Sequence, residues 1–458
     1  MRVGIIAYNY PPYNSIGALR PAGWAQYLPE FDIEPVIVTR HWDRKIAQSC
    51  DHVKPSKSKK ITEEKEGDAT VVRAPFIPNL RDHMILRMGL DHLAAPRKVL
   101  SLLYSMLEMI TFSGDHHAPI YTAALEYFHK NPCDVLVATG GPFVLFRYAD
   151  LLSRQLNVPW IADYRDGWTT SQELRHASLF RRMLNGSYFR LAERKHLRTA
   201  ALITTAAPSY AEPLRKLHSN TPVEIVFNGF DDDEVSRLES SMDLKKRGNI
   251  TSCRSKKGGR LLSIIYGGTL YRHQPLELFL SGLELFLIKQ PNAFVDLKFI
   301  GTGYYEEARA RIDNYKSIPR CSLRCTQRVD YASFLKELAS AHLLLLLSRR
   351  DSEWLYAKIF DYLAARRRIL LVPRDNGVLS EIIDKTRAGD FADTPPEIAQ
   401  VLSKAFEELL QHGEVSCNSK GWERFGRRTQ TKKMATLLQG VASTNRKEKA
   451  SLHHTFQD

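Results

Sequence analysis

The sequence predicts an α/β fold made of two Rossmann-like domains, and three observations carry that reading. Short apolar runs alternate with segments of helical period along most of the chain, the pattern of βα units around parallel sheets. The 458 residues exceed one ordinary core, so two domains of about 200 residues each are expected. A basic stretch then interrupts the rhythm: residues 237 to 260, RLESSMDLKKRGNITSCRSKKGGR, hold eight Lys/Arg against two acids and read as a solvated connector.

Each domain has its own set of expected strands. RVGIIAY, EPVIVT, DVLVAT, PWIADY, ALITTA and VEIVFNG belong to a first domain at 1–235. After a linker at 236–258, LLSIIYGG, VDLKFIGTG, AHLLLLLS and RRILLVP belong to a second at 259–422. A helix at 423–441 is expected to pack back toward the first domain, and the polar tail at 442–458 to be disordered. Two such domains imply a central cleft, with ligands bound outside the carboxyl ends of the strands.

Composition narrows the function. The six cysteines have no disulfide-scaffold rhythm, and the Cys321/Cys325 pair lacks a second pair at zinc spacing, so both read as ordinary thiols. The longest apolar run, Leu343 to Leu347, is one buried strand, far from the roughly 20 residues of a membrane span, and a cytoplasmic location is expected. A net charge of +14 attracts nucleic acid, anionic lipid or phosphorylated ligands. No aromatic-interleaved basic groove or finger motif is present, so nucleic acid is not an expected partner. In residues 82–112, Val99, Leu103, Met106 and Ile110 repeat at helical spacing, with Leu100 and Leu107 widening the face. This stripe is either core, from a helix pair packed on the sheet, or a surface that touches a membrane or an apolar acceptor.

Five stretches carry candidate chemistry. In YNYPPYNSIGALRPAG a helix starting near Ile16 would present its N-terminus to an anion, with Gly17 permitting close approach and Arg20 adding charge. PWIADYRDGWTTS gathers Asp163, Arg165, Asp166 and Trp168 at a strand's carboxyl end, either as an ion pair holding its own loop or as groups facing a sugar. IIYGGTLYRHQP and KFIGTG place Gly268 and Gly301 after strands, with Arg272 and His273 as nearby cations, an arrangement suited to a diphosphate. Finally, SRRDSEWLYAKIFDYLAARRRILLV turns from a buried strand into a helix expected from Tyr356. The amides of Trp354, Leu355 and Tyr356 and the Lys358 ammonium would meet an anion there, Asp361 a ribose diol, and Glu353 a sugar hydroxyl.

Glu353 and Asp361 are eight residues apart, and this acid-to-acid turn resembles the E-x7-E motif of retaining glycosyltransferases with the GT-B fold. AKIFDYLAARRRILLV is similar to the form of that motif in bacterial members of glycosyltransferase family 4. YNYPPYNSIGALR resembles the family's N-terminal glycine loop, PWIADYRDGW a variant of its next station, and FNGFD its domain-closing motif; the likeness runs from residue 1 to about 440. It implies two Rossmann-like domains facing a cleft, the first receiving a glycan or lipid-linked acceptor, the second a nucleoside diphosphate sugar. Asp361 would hold the ribose, and Lys358 and Arg272 the diphosphate. Glu353 would contact the sugar, and Val329 and Gly301 would border the base. Arg165 would stand near the place of a sugar-facing histidine, flanked by Asp163 and Asp166. No cofactor or metal is implied, since the nucleotide-sugar is a substrate and cations replace a divalent ion. The sequence departs from the pattern in its second acid, Asp rather than Glu, and in TLYRHQP, where only Arg272, or His273 when charged, can supply the usual cation.

The implied reaction is sugar transfer with retention, the leaving phosphate taking the acceptor proton, in bacterial exopolysaccharide, O-antigen or glycolipid synthesis. With the basic charge and the 82–112 segment, it suggests peripheral contact with the inner face of the plasma membrane. Two rivals remain at this point: a nucleotide-sugar epimerase or hydrolase, and a binding protein that has lost turnover.

Overall fold

A computed structural model describes residues 1–13, 15–43, 51–89, 92–171, 178–246, 260–303, 306–351 and 354–455. The chain divides into two compact units, residues 1–228 with 428–458, and residues 229–427.

The first unit is built on eight strands: β1 (Arg2–Ile6), β2 (Glu34–Arg40), β3 (Thr62–Glu66), β4 (Ala69–Ala74), β5 (Val135–Thr139), β6 (Trp160–Tyr164), β7 (Leu202–Thr205) and β8 (Val223–Ile225). Their order is β3-β4-β2-β1-β5-β6-β7-β8, parallel throughout except for the β3–β4 hairpin at one edge. Strands such as β5 (VLVAT) and β6 (WIADY) are buried at every residue, as central parallel strands covered on both faces must be. The hairpin was not expected. β3 reads TEEKE and is exposed at every position, so it carries no apolar signal, and its charges suit an open sheet edge.

The second unit has six parallel strands: β9 (Arg260–Gly267), β10 (Ala293–Ile300), β11 (Cys321–Thr326), β12 (Leu343–Leu347), β13 (Arg368–Val372) and β14 (Gly389–Phe391), ordered β11-β10-β9-β12-β13-β14. β12, the leucine run, is fully buried between β9 and β13. The two thiols of β11 are inert: burial pushes Cys321 up to about 12 and raises Cys325. Helix Asp232–Lys246 occupies the first half of the stretch read as a linker, and residues 247–259 lie outside the described ones.

The tail expectation is corrected. A single helix runs Arg427–Thr455, and Met434, Ala435, Leu438 and Ala442 pack with Val3, Ile5 and Trp24 in the core of the first unit. Polarity marks the residues after 442 as exposed, but Lys, Glu and Ala there favour helix once the apolar stripe has docked. Arg446 adds an ion pair to Asp134 at 2.7 Å.

Residues 80–107 form the expected helix pair, Leu80–Met88 and Ala94–Leu107, with a different face inward. Leu102 and Met106 pack on the core and Met109 is buried, whereas Val99 (58 % exposed), Leu103 (49 %), Leu107 (43 %) and Ile110 (65 %) face outward. Buried polar groups hold the pair in place. Asp82 accepts from His116 at 2.7 Å, the Nε2 atoms of His116 and His117 lie 3.1 Å apart, and His117 Nδ1 faces Glu108 at 3.2 Å. Burial alone would lower the His117 pKa, but hydrogen bonds to Asp115 and Glu108 outweigh it and leave it raised. Glu108, Asp115 and His117 offer ligand atoms within 4.8 Å of one another, a cluster the sequence analysis did not find. Tyr148 and His116 already bond to Asp115 and His117. Among the described residues no helix is long and apolar enough to cross a membrane.

Candidate active site

In the first unit, helix Ile16–Tyr27 begins where expected, but Arg20 points inward. Its guanidinium donates to both oxygens of Asp163, at 2.9 and 2.6 Å, and to the Val226 carbonyl at 2.6 Å. Asp163 also accepts from Thr204 Oγ1 at 2.7 Å. Asp163 is 0 % exposed and Arg20 3 %, so neither reaches a ligand. This corrects two expectations: Asp163 is not a catalytic group and Arg20 is not an anion-binding one. They are a saturated pair joining the first helix to β6, β7 and the chain after β8.

Arg165 follows immediately and behaves otherwise. A side chain at Gly17 would place its Cβ 1.7 Å from Arg165 Nη1, and one at Gly141, where φ is +93°, 2.6 Å from Nη2. The two glycines make room for the guanidinium, so Gly17 serves Arg165 and not a ligand's approach. Arg165 Nε donates to Asp166 at 3.2 Å, and the Asp166 carboxylate is largely exposed. Trp168 is buried in a stack on Phe143, centroids 5.0 Å apart. Beneath this loop, Glu193 accepts from Tyr164 at 2.6 Å and from Thr169, pinning both ends. Sequence reasoning missed Glu193, which lies in the basic run LAERKHLR more than twenty positions from its partners and carries no local signal.

In the second unit the glycine loops converge. Gly268 (φ +84°) donates to Ile300 O at 2.8 Å and Gly301 (φ +81°) to Thr326 O at 3.1 Å, linking the carboxyl ends of β9, β10 and β11. Positive φ at both positions is the reason for glycine. Gly267 instead leaves space for Phe334, whose ring a Cβ would meet at 2.6 Å.

Lys358 lies over Gly268. Its Nζ donates to Tyr266 Oη at 2.7 Å and Thr269 O at 3.1 Å, and sits 3.9 Å from the Tyr266 ring centroid. Burial pulls its pKa down to about 7, with Asp361 pulling weakly the other way. Asp361 accepts from Tyr331 at 2.8 Å, and burial raises its pKa to about 6. Tyr331 also meets the Asp231 amide at 3.4 Å, and Asp231 pairs with Arg427 at 3.2 Å. Tyr331, Asp231 and Arg427 come from three distant segments, and the sequence analysis named none of them for this site.

The neighbourhood departs from expectation in three ways. Helix Lys358–Ala364 begins two residues late, because the Ile359 and Phe360 amides turn back to the Tyr356 and Ala357 carbonyls. Trp354, Leu355 and Tyr356 therefore belong to the loop, not to a helical first turn. Arg272 is 88 % exposed and pairs with Glu307 at 3.4 Å, on a groove of about 440 Å³ that Glu306 and Arg311 also line. His273 supplies no cation at neutral pH: burial, then the charges of Arg349 and Arg311, lower its pKa, and its Nε2 meets Tyr356 Oη at 3.0 Å. It stacks on Tyr271 and meets Trp354 edge-on. Val329 is 42 % exposed in the loop after β11. Glu353 lies outside the described residues.

Of the three groups Arg272, His273 and Lys358, Lys358 is the one set against Gly268, held without a full counter-charge. A half-buried lysine whose proton burial disfavours regains that proton when an anion comes beside it.

Known proteins place the fold. Residues 20–229 match the glycosyl transferase 4-like domain. The catalytic domain of starch synthase IV from Arabidopsis thaliana, bound to ADP and acarbose, is 12 % identical, with a TM-score of 0.57 over 97 % of this chain and 99 % of that one. Anabaena HepE in complex with UDP and glucose is 11 % identical, with a TM-score of 0.53 over 96 % of this chain and 100 % of that one. Sucrose-phosphate synthase from Thermosynechococcus elongatus is 12 % identical, with a TM-score of 0.52 over 99 % and 100 %. No curated protein matches the chain. The fold is that of the GT-B glycosyltransferases, and with the matched domain it supports a glycosyltransferase of that class.

Proposed function

We propose that this protein is a retaining glycosyltransferase that moves a hexosyl unit from a nucleoside diphosphate sugar to an acceptor hydroxyl, in bacterial exopolysaccharide, O-antigen or glycolipid synthesis. The observation that carries the reading is Lys358, partly buried over Gly268 with its pKa drawn down to about 7, beside an under-satisfied Asp361. The starch synthase bound to ADP and HepE in complex with UDP support a nucleoside diphosphate donor.

In this reading the diphosphate docks on Lys358, whose ammonium stabilises the negative charge that builds as the glycosidic bond breaks. Such preorganised charge does the work a divalent ion does elsewhere, without reorganisation during the step. Asp361 accepts a ribose hydroxyl, Glu353 a hydroxyl of the sugar, and Gly301 and Val329 border the base. Arg165, held between Gly17 and Gly141, donates to hydroxyl oxygens of the acceptor, with the Asp166 carboxylate at its side. The leaving phosphate oxygen takes the acceptor proton on the face it departs from, which gives retention. Val99, Leu103, Leu107 and Ile110 provide peripheral contact with a membrane that carries the acceptor.

The test is thermal shift of the purified protein across UDP-, GDP-, ADP-, CDP- and dTDP-sugars, with Asp361→Ala as control. A ligand at 100 times its Kd adds about 2.7 kcal/mol of stability. A shift with one base class that is absent in the variant supports the reading. No shift with any donor rejects it.

A further inference from the structure

We infer that residues 179–198 form a membrane-docking surface for anionic lipid, beside the 82–112 segment and independent of it in sequence. The inference deepens the peripheral contact just proposed and rests on that part of the reading.

The segment is one continuous helical rod with an interruption: helix Leu179–Leu184, a π-turn at Asn185–Phe189, and helix Arg190–Leu197. Its inner side is ordinary core, with Phe189, Glu193, His196 and Leu197 buried. Its outer side is not an ordinary surface. Leu179 is 76 % exposed, Phe180 68 %, Met183 72 % and Leu191 68 %. At about 100° per residue, Leu191 would lie roughly 120° round the helix from Leu179, and the extra residue of a π-turn takes most of that angle back. The irregular turn thus returns Leu191 to the side of Leu179 and Met183.

Charge decides the occupant. Arg181, Arg182, Arg190, Arg194, Lys195 and Arg198 are exposed, and the one acid of the rod, Glu193, is buried beneath Tyr164 and Thr169. Apolar tips flanked by cations, with no exposed acid, match the boundary of an anionic bilayer. A second copy of the chain fits poorly, because a two-fold contact would set arginine against arginine. The surface also continues past its own ends. Tyr188 Oη donates to Met106 O at 2.5 Å, which places the rod beside helix Ala94–Leu107 and its outward-facing Leu103 and Leu107.

The experiment is flotation of the full chain with phosphatidylcholine vesicles, with and without phosphatidylglycerol, at about 0.15 M salt. Wild type is expected to float with the anionic vesicles and not with phosphatidylcholine alone. Phe180→Glu with Met183→Glu, and separately Arg182→Glu with Arg190→Glu, should each weaken binding by about tenfold or more. Both pairs are exposed and should leave the melting temperature and any donor-induced shift unchanged, which separates this inference from the donor site. Leu103→Glu with Leu107→Glu tests the neighbouring helix alone. The inference is overturned if wild type stays with neither vesicle, if it floats equally with both, or if the two variants of the rod float like wild type. A protein that floats as described but shifts with no donor overturns the transferase reading and leaves this surface standing.

Discussion

Asp163 and Asp361 look alike in the sequence and differ in the fold. Both are acids a few residues from a cation, Asp163 at the carboxyl end of β6 and Asp361 in the helix that follows β12. Asp163 takes three hydrogen bonds, two from Arg20 and one from Thr204, and is sealed from solvent, while Asp361 takes one hydroxyl, from Tyr331, and has its pKa raised to about 6. The same contrast separates their cations: Arg20 has a carboxylate on its fork, and Lys358 has a phenol and a carbonyl. A saturated buried pair is architecture, whereas a half-buried ionisable group short of partners is the better candidate for a ligand contact.

The largest effect expected from this contrast is on stability. Asp163→Ala strands the Arg20 charge in the core and should cost about 3–5 kcal/mol in denaturant unfolding. Asp361→Asn should leave stability unchanged or raise it, since it removes a carboxylate that burial disfavours. Equal losses in the two variants would erase the distinction.

Next comes Lys358. Replacing it with Met should lower kcat/KM by about 10²–10³, the range for losing one preorganised charge-stabilising donor, with no loss of melting temperature. The pH dependence follows the same signs. Lys358 titrates near 7 in the fold against its ordinary 10.5, so between those values the unfolded chain binds more protons and stability rises with pH. Asp361 titrates near 6 against 3.8, so there the folded chain binds more protons and stability falls as pH rises through that window. Urea melts of wild type, Lys358→Met and Asp361→Asn across pH 4 to about 10 should show each slope missing from its own variant.

His117 has the opposite sense to Lys358. Its raised pKa gives stability that is complete below the ordinary value of 6.5 and is lost as pH rises through the folded one. Hydrogen exchange in helices Leu80–Met88 and Ala94–Leu107, corrected for intrinsic rate, should therefore quicken as pH rises from 6.5 through the folded value. The smallest expected change is Gly17→Ala. The displaced group is the far end of the Arg165 side chain, so stability should move by less than about 1 kcal/mol while kcat falls and the donor-induced shift persists.

How much of this was legible in the sequence follows from which signals are local. Most of the parallel strands announced themselves as apolar runs, and β12 could hardly be anything else, but β4, buried at every residue, and β11 were not among the expected strands. β3, a threonine and four charged residues, and β14, three residues long, had no period to read. The glycine loops at 268 and 301 and the Lys358–Asp361 turn were visible because their residues are neighbours in the chain. What sorted Asp163 from Asp361 was not visible: Arg20 reaches its partner across 143 positions and Tyr331 reaches Asp361 across 30. The Arg165 seat shows the same limit, since Gly17 and Gly141 meet it only through the fold. The helix start at Lys358 instead of Tyr356 is a smaller miss, set by two backbone turns that no side chain announces.

The most direct test of the central claim is proton linkage. Calorimetric titration of UDP and ADP at pH 8, in two buffers of different ionisation enthalpy, counts the protons taken up on binding. A diphosphate that lands on Lys358 should restore its ammonium, so wild type takes up close to one proton and Lys358→Met, if it binds at all, takes up none. Binding with no proton uptake in wild type, or with the same uptake in the variant, would show that the diphosphate goes elsewhere and that Lys358 is not the donor site's cation.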